Sequence, residues 1–159
     1  MAHPNAELIR RFYQAFQRRD GDAMAACYAP SVRFRDPAFG ELKGPAAGDM
    51  WRMLTSRAAD LRLDFDQVWA DDLHGGAQWV AHYTFSQTGR PVVNRIRASF
   101  EFENGLIVRH TDDFDLWRWA RQALGAKGLL LGWAPPVQAA IRRQALKGLA
   151  AFQGKTARG

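Results

Sequence analysis

Two aspartates and a histidine break an otherwise apolar pattern. Over residues 31–36 the chain alternates, with Val32, Phe34 and Asp36 on one face and Arg33 and Arg35 on the other. Pro37 holds Asp36 in an extended backbone conformation. Over residues 106–114, Leu106, Val108, His110, Asp112 and Phe114 share a face. Asp36 and Asp112 thus point with the hydrophobes. A carboxylate taken out of water is unfavourable unless it is paired or protonated. Two that approach one another titrate apart and share a proton, one form acting as acid and the other as base near neutral pH. Such a pair suits proton abstraction next to a carbonyl, or general-base activation of water. His110 sits two residues before Asp112 on the same face. Asn94 lies on the face of Ile96, Ala98, Phe100 and Phe102, and Tyr83 on the face of Trp79 and Phe85.

Each of these residues also has a plainer reading. Asp36-Pro37 is the sequence of an ordinary turn aspartate. A register displaced by one residue would leave Asp112 at the surface. His110 reads equally as a satisfied core or pocket-wall histidine, and Trp79 and Tyr83 as core aromatics. His82 and Thr84 face outward. Asp36, His110 and Asp112 could converge on a metal, but no ligand-spacing motif accompanies them, so neither metal nor cofactor is expected.

The elements that must position these residues follow from periodicity. Asn5 is a plausible helix cap, and Leu8, Ile9, Phe12, Tyr13 and Phe16 recur at helical spacing after it. Asp20-Gly21-Asp22 is a turn, residues 23–28 are a short second helix stopped by Pro30, and Ser31 to Asp36 is a short strand. Phe39 to Gly44 is a loop. Pro45 opens a third helix with Met50, Trp51, Met53 and Leu54 on one face. From residue 61 the period becomes two, with Leu61, Leu63, Phe65 and Trp69 alternating with polar residues. His74-Gly75-Gly76 is a turn before a strand over 77–86, and residues 88–91 turn the chain into another that runs to Glu103. Asn104-Gly105 is a strong hairpin signal, and the last strand is 106–114. The order predicts an α+β domain with an antiparallel meander. Beyond it come a helical segment over 116–124, the apolar run 129–133, and a helix opened by Pro135-Pro136. That last helix carries Val137, Ile141, Ala145, Leu149 and Phe152 on one side and Arg142, Arg143 and Lys147 on the other.

The chain has 159 residues, 47% of them hydrophobic and 24% charged, which suits one globular domain. A chain of this length buries about 68–70% of its unfolded surface and needs no disulfide or metal to hold a core. Its single cysteine, Cys27, excludes an internal disulfide and reads as a small buried hydrophobe. No apolar run is long enough to span a membrane, and the N-terminus has no signal-peptide core, so a reducing, cytoplasmic location is the default expectation. The net charge of +6 is uneven. Residues 116–159 carry eight cations and no acid, whereas residues 1–115 sum to −2. A basic tail on an acidic body speaks against nucleic-acid binding, which wants cations across a folded face.

The order of elements, the run Tyr28-Ala29-Pro30 with Phe34-Arg35-Asp36-Pro37, and the run from Gly105 through His110 and Asp112 to Asp115 resemble the SnoaL-like proteins. These belong to the superfamily of nuclear transport factor two, ketosteroid isomerase and limonene epoxide hydrolase. The resemblance covers about residues 5–120. It implies a cone-shaped, curved antiparallel sheet wrapped around N-terminal helices with an apolar pocket inside, and a homodimer through the outer sheet face. Residues 1–115 would be the pocket domain and 116–159 a basic helical extension of it. Asp36 falls where ketosteroid isomerases place their general base. Their phenolic donor falls near Phe12 or Gln14, with Tyr13 adjacent, and their second acid falls at Ala98. Asp112 falls where limonene epoxide hydrolases place one catalytic aspartate. Their Arg-x-Asp pair falls near Trp79 and Ala81, and their water-binding Tyr-x-Asn at Phe34 and Asp36. One carboxylate of each scheme is present and neither scheme is complete.

Two functions therefore compete. One is a cofactor-free acid/base enzyme on a small apolar molecule, an isomerase, a hydratase or hydrolase, or a cyclase. Its catalytic residues would be Asp36, Asp112 and His110, and its substrate would lie among Phe12, Phe16, Phe34, Trp51, Trp79, Tyr83, Asn94 and Ile96. The other is a ligand-binding or interaction module without chemistry. The last helix, apolar on one side and cationic on the other, could lie through residues 134–152 on an anionic membrane, cover the pocket mouth, or pack on the domain with its basic side in water.

Overall fold

A computed structural model describes residues 3–57 and 59–158, the side chains of 156–158 excepted. Met1 and Ala2, where a leader would begin, and Gly159, the end of the basic extension, lie outside that description.

Helix α1 (Pro4–Gln17) buries a stripe of Leu8, Ile9, Phe12, Tyr13, Ala15 and Phe16, as its 3.6-residue period requires. Its cap is His3, whose ring accepts the Asn5 N–H at 3.1 Å. Asn5 is instead tertiary: its amide donates to the Asp71 and Asp72 carbonyls and ties the helix start to a strand turn. Asp20 caps α2 (Gly21–Ala26), which ends before Tyr28, so that β1 (Tyr28–Asp36) is longer than its alternation predicts. The segment 39–44 holds β2 (Gly40–Lys43), a short edge strand paired with β1. Helix α3 (Pro45–Arg57) follows, then β3 (Arg62–Ala70), β4 (His74–Phe85), β5 (Arg90–Glu103) and β6 (Leu106–Asp113). His74 to Gly76 belong to β4 rather than to a turn; the chain reverses at Asp71 to Leu73. Asn104 and Gly105 both take positive φ, 52° and 77°, the geometry a tight Asn-Gly hairpin demands.

The six strands form one curved, open sheet in the order β2-β1-β6-β5-β4-β3. The meander is antiparallel, as expected, but β1 runs parallel to β6. The whole of residues 37–105 serves as the crossover that a parallel neighbour needs. This pairing places the chain's two informative strands side by side, with Phe34 opposite His110. The core lies between the sheet's inner face and helices α1 and α3. Phe12, Phe34, Met50, Trp51, Phe100, Ile107 and their neighbours are essentially removed from water there.

The extension forms α4 (Leu116–Leu124), α5 (Ala126–Leu131) and α6 (Pro135–Arg158). Gly128 lets α5 cross α4 at close range: a Cβ there would fall inside contact distance of the Ala120 carbonyl. Gly128→Ala is expected to push α5 off α4 and to destabilise the protein by about 1–3 kcal/mol. Thermal unfolding of the variant checks this, and an unchanged Tm would show that α5 adds nothing to the fold. In α6 Val137, Ile141 and Ala145 are partly buried and Leu149 is only 3% exposed, so the apolar stripe faces the core while Arg143 and Lys147 face water. Arg142 donates from Nε to the Pro37 carbonyl at 3.0 Å, and Gln153 donates to Asp49 at 3.1 Å.

Candidate active site

Asp36 sits where β1 ends and the chain turns into β2. Its Oδ1 accepts the Phe39 N–H at 2.6 Å, so it is a turn aspartate. It is also the last inward residue of the Val32, Phe34, Asp36 row, and its carboxyl end is enclosed. The two readings of this residue are therefore one structure. Burial, and after it the charge of Asp112, push its carboxyl up to about 7, against the lowering pull of the Phe39 hydrogen bond.

Asp112 is 3% exposed and points inward from β6 beside a fully buried His110. The inward row of β6 is not the one that plain alternation predicts. A bulge opposite the Glu101–Phe102 step absorbs Val108, so Ile107 faces the core in its place, and the row resumes with His110 and Asp112.

A chain of hydrogen bonds runs through this interior. Trp51 donates from Nε1 to the Tyr28 hydroxyl at 2.7 Å. That hydroxyl lies 2.7 Å from His110 Nδ1, and His110 Nε2 lies 2.8 Å from Asp112 Oδ1. Trp79 Nε1 donates to the same carboxylate oxygen at 3.5 Å. With the imidazole proton on Nε2 every hydrogen in the series has an acceptor: Trp51 to Tyr28, Tyr28 to His110, His110 to Asp112. Burial keeps the Tyr28 phenol well above its ordinary range, and so a hydroxyl. His110 is stacked on Phe100 at 4.4 Å with both nitrogens occupied, which makes it the residue that orients Asp112 rather than one facing a ligand.

Two more hydroxyls belong to the same interior. Tyr83 accepts the Trp119 indole N–H at 2.7 Å and keeps its own hydrogen to donate. Burial raises its phenol, and the charge of Asp36 adds to the shift. Tyr13 is fully buried, edge-on to Phe12, and its hydroxyl has no hydrogen-bond partner among the described residues. After burial, the charge of Asp112 is the next cause raising that phenol. An unsatisfied buried hydroxyl is unfavourable by about 1–3 kcal/mol, so a native structure that keeps one calls for a reason.

The residues expected to line a pocket do converge. Phe12, Phe16, Phe34, Trp51, Trp79 and Ile96 lie in one buried cluster, Tyr83 packs against it, and Asn94 is partly buried on the same face of β5, opposite Ala81. They meet ring on ring: Trp51 contacts Phe16 and Phe34 at 5.1 and 5.6 Å and Trp79 at 6.3 Å. Two depressions, of about 530 and 480 Å³, lie elsewhere, around Arg18 and Arg52 and around Arg11 and Cys27. Among the described residues no three His, Cys, Asp or Glu side chains gather to hold a metal ion.

Sequence reasoning missed Tyr28 and Trp119. Pro30 disguised Tyr28 as the end of a helix, although it stood in plain view before the strand. Trp119 lies on α4, whose pattern gave no hint of what it would touch.

This fold and interior define a class. The chain belongs to the SnoaL-like domain family, whose sequence model matches residues 9–110. No relative is found among curated proteins. Among solved structures, a candidate polyketide cyclase of Xanthomonas campestris pv. campestris is 26% identical with a TM-score of 0.63, covering 75% of this chain and 96% of that one. An NTF2-like protein of Burkholderia pseudomallei, of unknown function, is 25% identical with a TM-score of 0.65, covering 76% of this chain and 97% of that one. An LEH-like epoxide hydrolase of M. tuberculosis shares the fold at 18% identity and a TM-score of 0.64, covering 83% and 96%. No helix of the described residues is long and apolar enough to cross a membrane.

Proposed function

We propose that the protein is a cofactor-free acid/base enzyme that abstracts a proton next to a carbonyl of a small apolar molecule, in an isomerisation or a cyclisation. The observation that carries this reading is the placement of Asp36: an enclosed carboxyl at the rim of an aromatic interior, with a second carboxylate held inward behind it by His110. A base that titrates near the operating pH is present in its ionised form and still takes up a proton well. Tyr83, polarised by the Trp119 N–H and sensing the charge of Asp36, donates to the carbonyl oxygen on which negative charge develops. The unpaired Tyr13 hydroxyl is a further donor reserved for a ligand oxygen. Asp112 raises Asp36 and His110 fixes Asp112, both as positioning residues. Likeness to a candidate polyketide cyclase supports an apolar polycarbonyl substrate.

The test is proton exchange. Wild-type protein in heavy water is expected to accelerate deuterium uptake at the central carbon of benzoylacetone, and the rate should rise with pH through about 7 as Asp36 ionises. Asp112→Asn, which removes the second charge, should shift that midpoint downward. Ligand binding without exchange would overturn the reading in favour of a binding module.

A further inference from the structure

The basic extension carries an apolar surface that the site does not use. Leu129, Leu130, Leu131 and Trp133 are 50, 68, 46 and 61% exposed, and Trp117 is 36% exposed. Both tryptophans are tied to the backbone of α5 and so stand beside its exposed leucines: Trp117 donates its indole N–H to the Leu129 carbonyl at 3.1 Å, and Trp133 donates to the Leu130 carbonyl at 2.9 Å. Both indoles have thus spent their only polar group inside the motif, so what they present outward is apolar ring. The stripe of α6, by contrast, is turned onto the domain, with Leu149 in the core. Exposed apolar residues in such a cluster mark an interaction surface.

Charge identifies the occupant. Arg121 stacks over the Trp117 ring at 4.8 Å, exposed Lys127 stands one helical turn before Leu130 and Leu131, and Arg118 is exposed on α4. No acid occurs from residue 116 to the end of the chain, against eight cations. A second copy docked here would bring two such basic segments together and repel itself. Leucine and tryptophan side chains framed by cations suit the interface of an anionic bilayer, where rings and leucines enter the headgroup boundary and cations meet lipid phosphate and carboxylate. We propose that the α4–α5 segment, through Trp117, Leu129, Leu130, Leu131 and Trp133, seats the protein on an anionic membrane surface.

Sedimentation of the full-length protein with vesicles tests this. Binding is expected to vesicles of phosphatidylcholine mixed with phosphatidylserine, to weaken with salt, and to be far weaker with phosphatidylcholine alone. Leu130→Glu should lower binding about tenfold or more, since a charge replaces a leucine in the apolar layer. Lys127→Glu should lower it about fivefold or more, as each basic residue near such a surface contributes about 1 kcal/mol. Both side chains are exposed, so unchanged circular dichroism should accompany both losses. Failure of the wild type to sediment with anionic vesicles, equal binding to phosphatidylcholine alone, or full binding by Leu130→Glu would overturn the proposal. So would a dimer that Leu130→Glu dissolves while vesicles capture nothing.

Discussion

Asp36→Asn is expected to lower turnover by about 10²–10⁴-fold, the range a positioned general base contributes, while leaving ligand affinity nearly intact. The asparagine oxygen can still accept the Phe39 N–H, so the turn keeps its hydrogen bond and only the titrating group is lost. The same variant should be more stable than the wild type at alkaline pH. The folded-state carboxyl titrates at about 7 and the unfolded one near 3.8, so the folded state holds its proton more tightly. Wild-type stability therefore falls as pH rises through that window and is lowest above it. The difference corresponds to roughly 4 kcal/mol at pH 8, is mostly gone at pH 4, and vanishes well below the unfolded value, where both states are protonated. Denaturation of the two proteins at pH 4 and pH 8, beside an exchange assay, measures both effects. A variant that loses stability at pH 8 would show that the charge of Asp36 is stabilised by the fold rather than penalised by it, and would remove the base from the mechanism.

Trp51→Ala should be the most destabilising core change, by about 3–5 kcal/mol, enough to lower Tm by roughly 10 °C in a protein of this size. The indole contacts Phe12, Phe16, Phe34, Trp79 and His110, and its N–H pins the Tyr28 hydroxyl. Trp51→Phe separates the two contributions. It keeps much of the ring packing and loses the donor, and should cost about 1–2 kcal/mol. Tyr28 would keep its bond to His110 in that variant, so Asp112 stays oriented. If both variants unfold at the same temperature, the hydrogen bond outweighs the ring contacts, contrary to the packing seen around Trp51.

Much of this was legible beforehand, for identifiable reasons. The inward pointing of Asp36 follows from strict alternation after Ser31, and the tight turn at Asn104-Gly105 follows from the only residue types that take positive φ readily. The inward row that points to Asp112 exists only in part. Plain alternation puts Val108 inward, but it lies in the bulge and Ile107 is the buried residue; His110 and Asp112 lie beyond the bulge and keep their face. The parallel pairing of β1 with β6 was invisible, since it joins segments about 75 residues apart and depends on where the crossover ends. Tyr28 gained its place in the hydrogen-bond series only through that pairing. The identity of a partner across a sheet is a tertiary fact, whereas the face a residue occupies is a local one.

Helix α6 has a consequence for how often the interior is open. It holds the domain by one deeply buried leucine, by partly buried side chains, and by bonds such as that of Arg142 to the carbonyl beside Asp36. Elements at a domain's surface can open locally at free energies below that of global unfolding. A local opening of this kind would take α6 off the turn after β1 while the sheet, α1 and α3 stay folded. The fraction of time spent in that form scales the apparent affinity for any molecule that must pass this way. Helix α6 itself lies outside residues 9–110, the part of the chain matched by the family, while the groups it binds, the Pro37 carbonyl and Asp49, lie inside it.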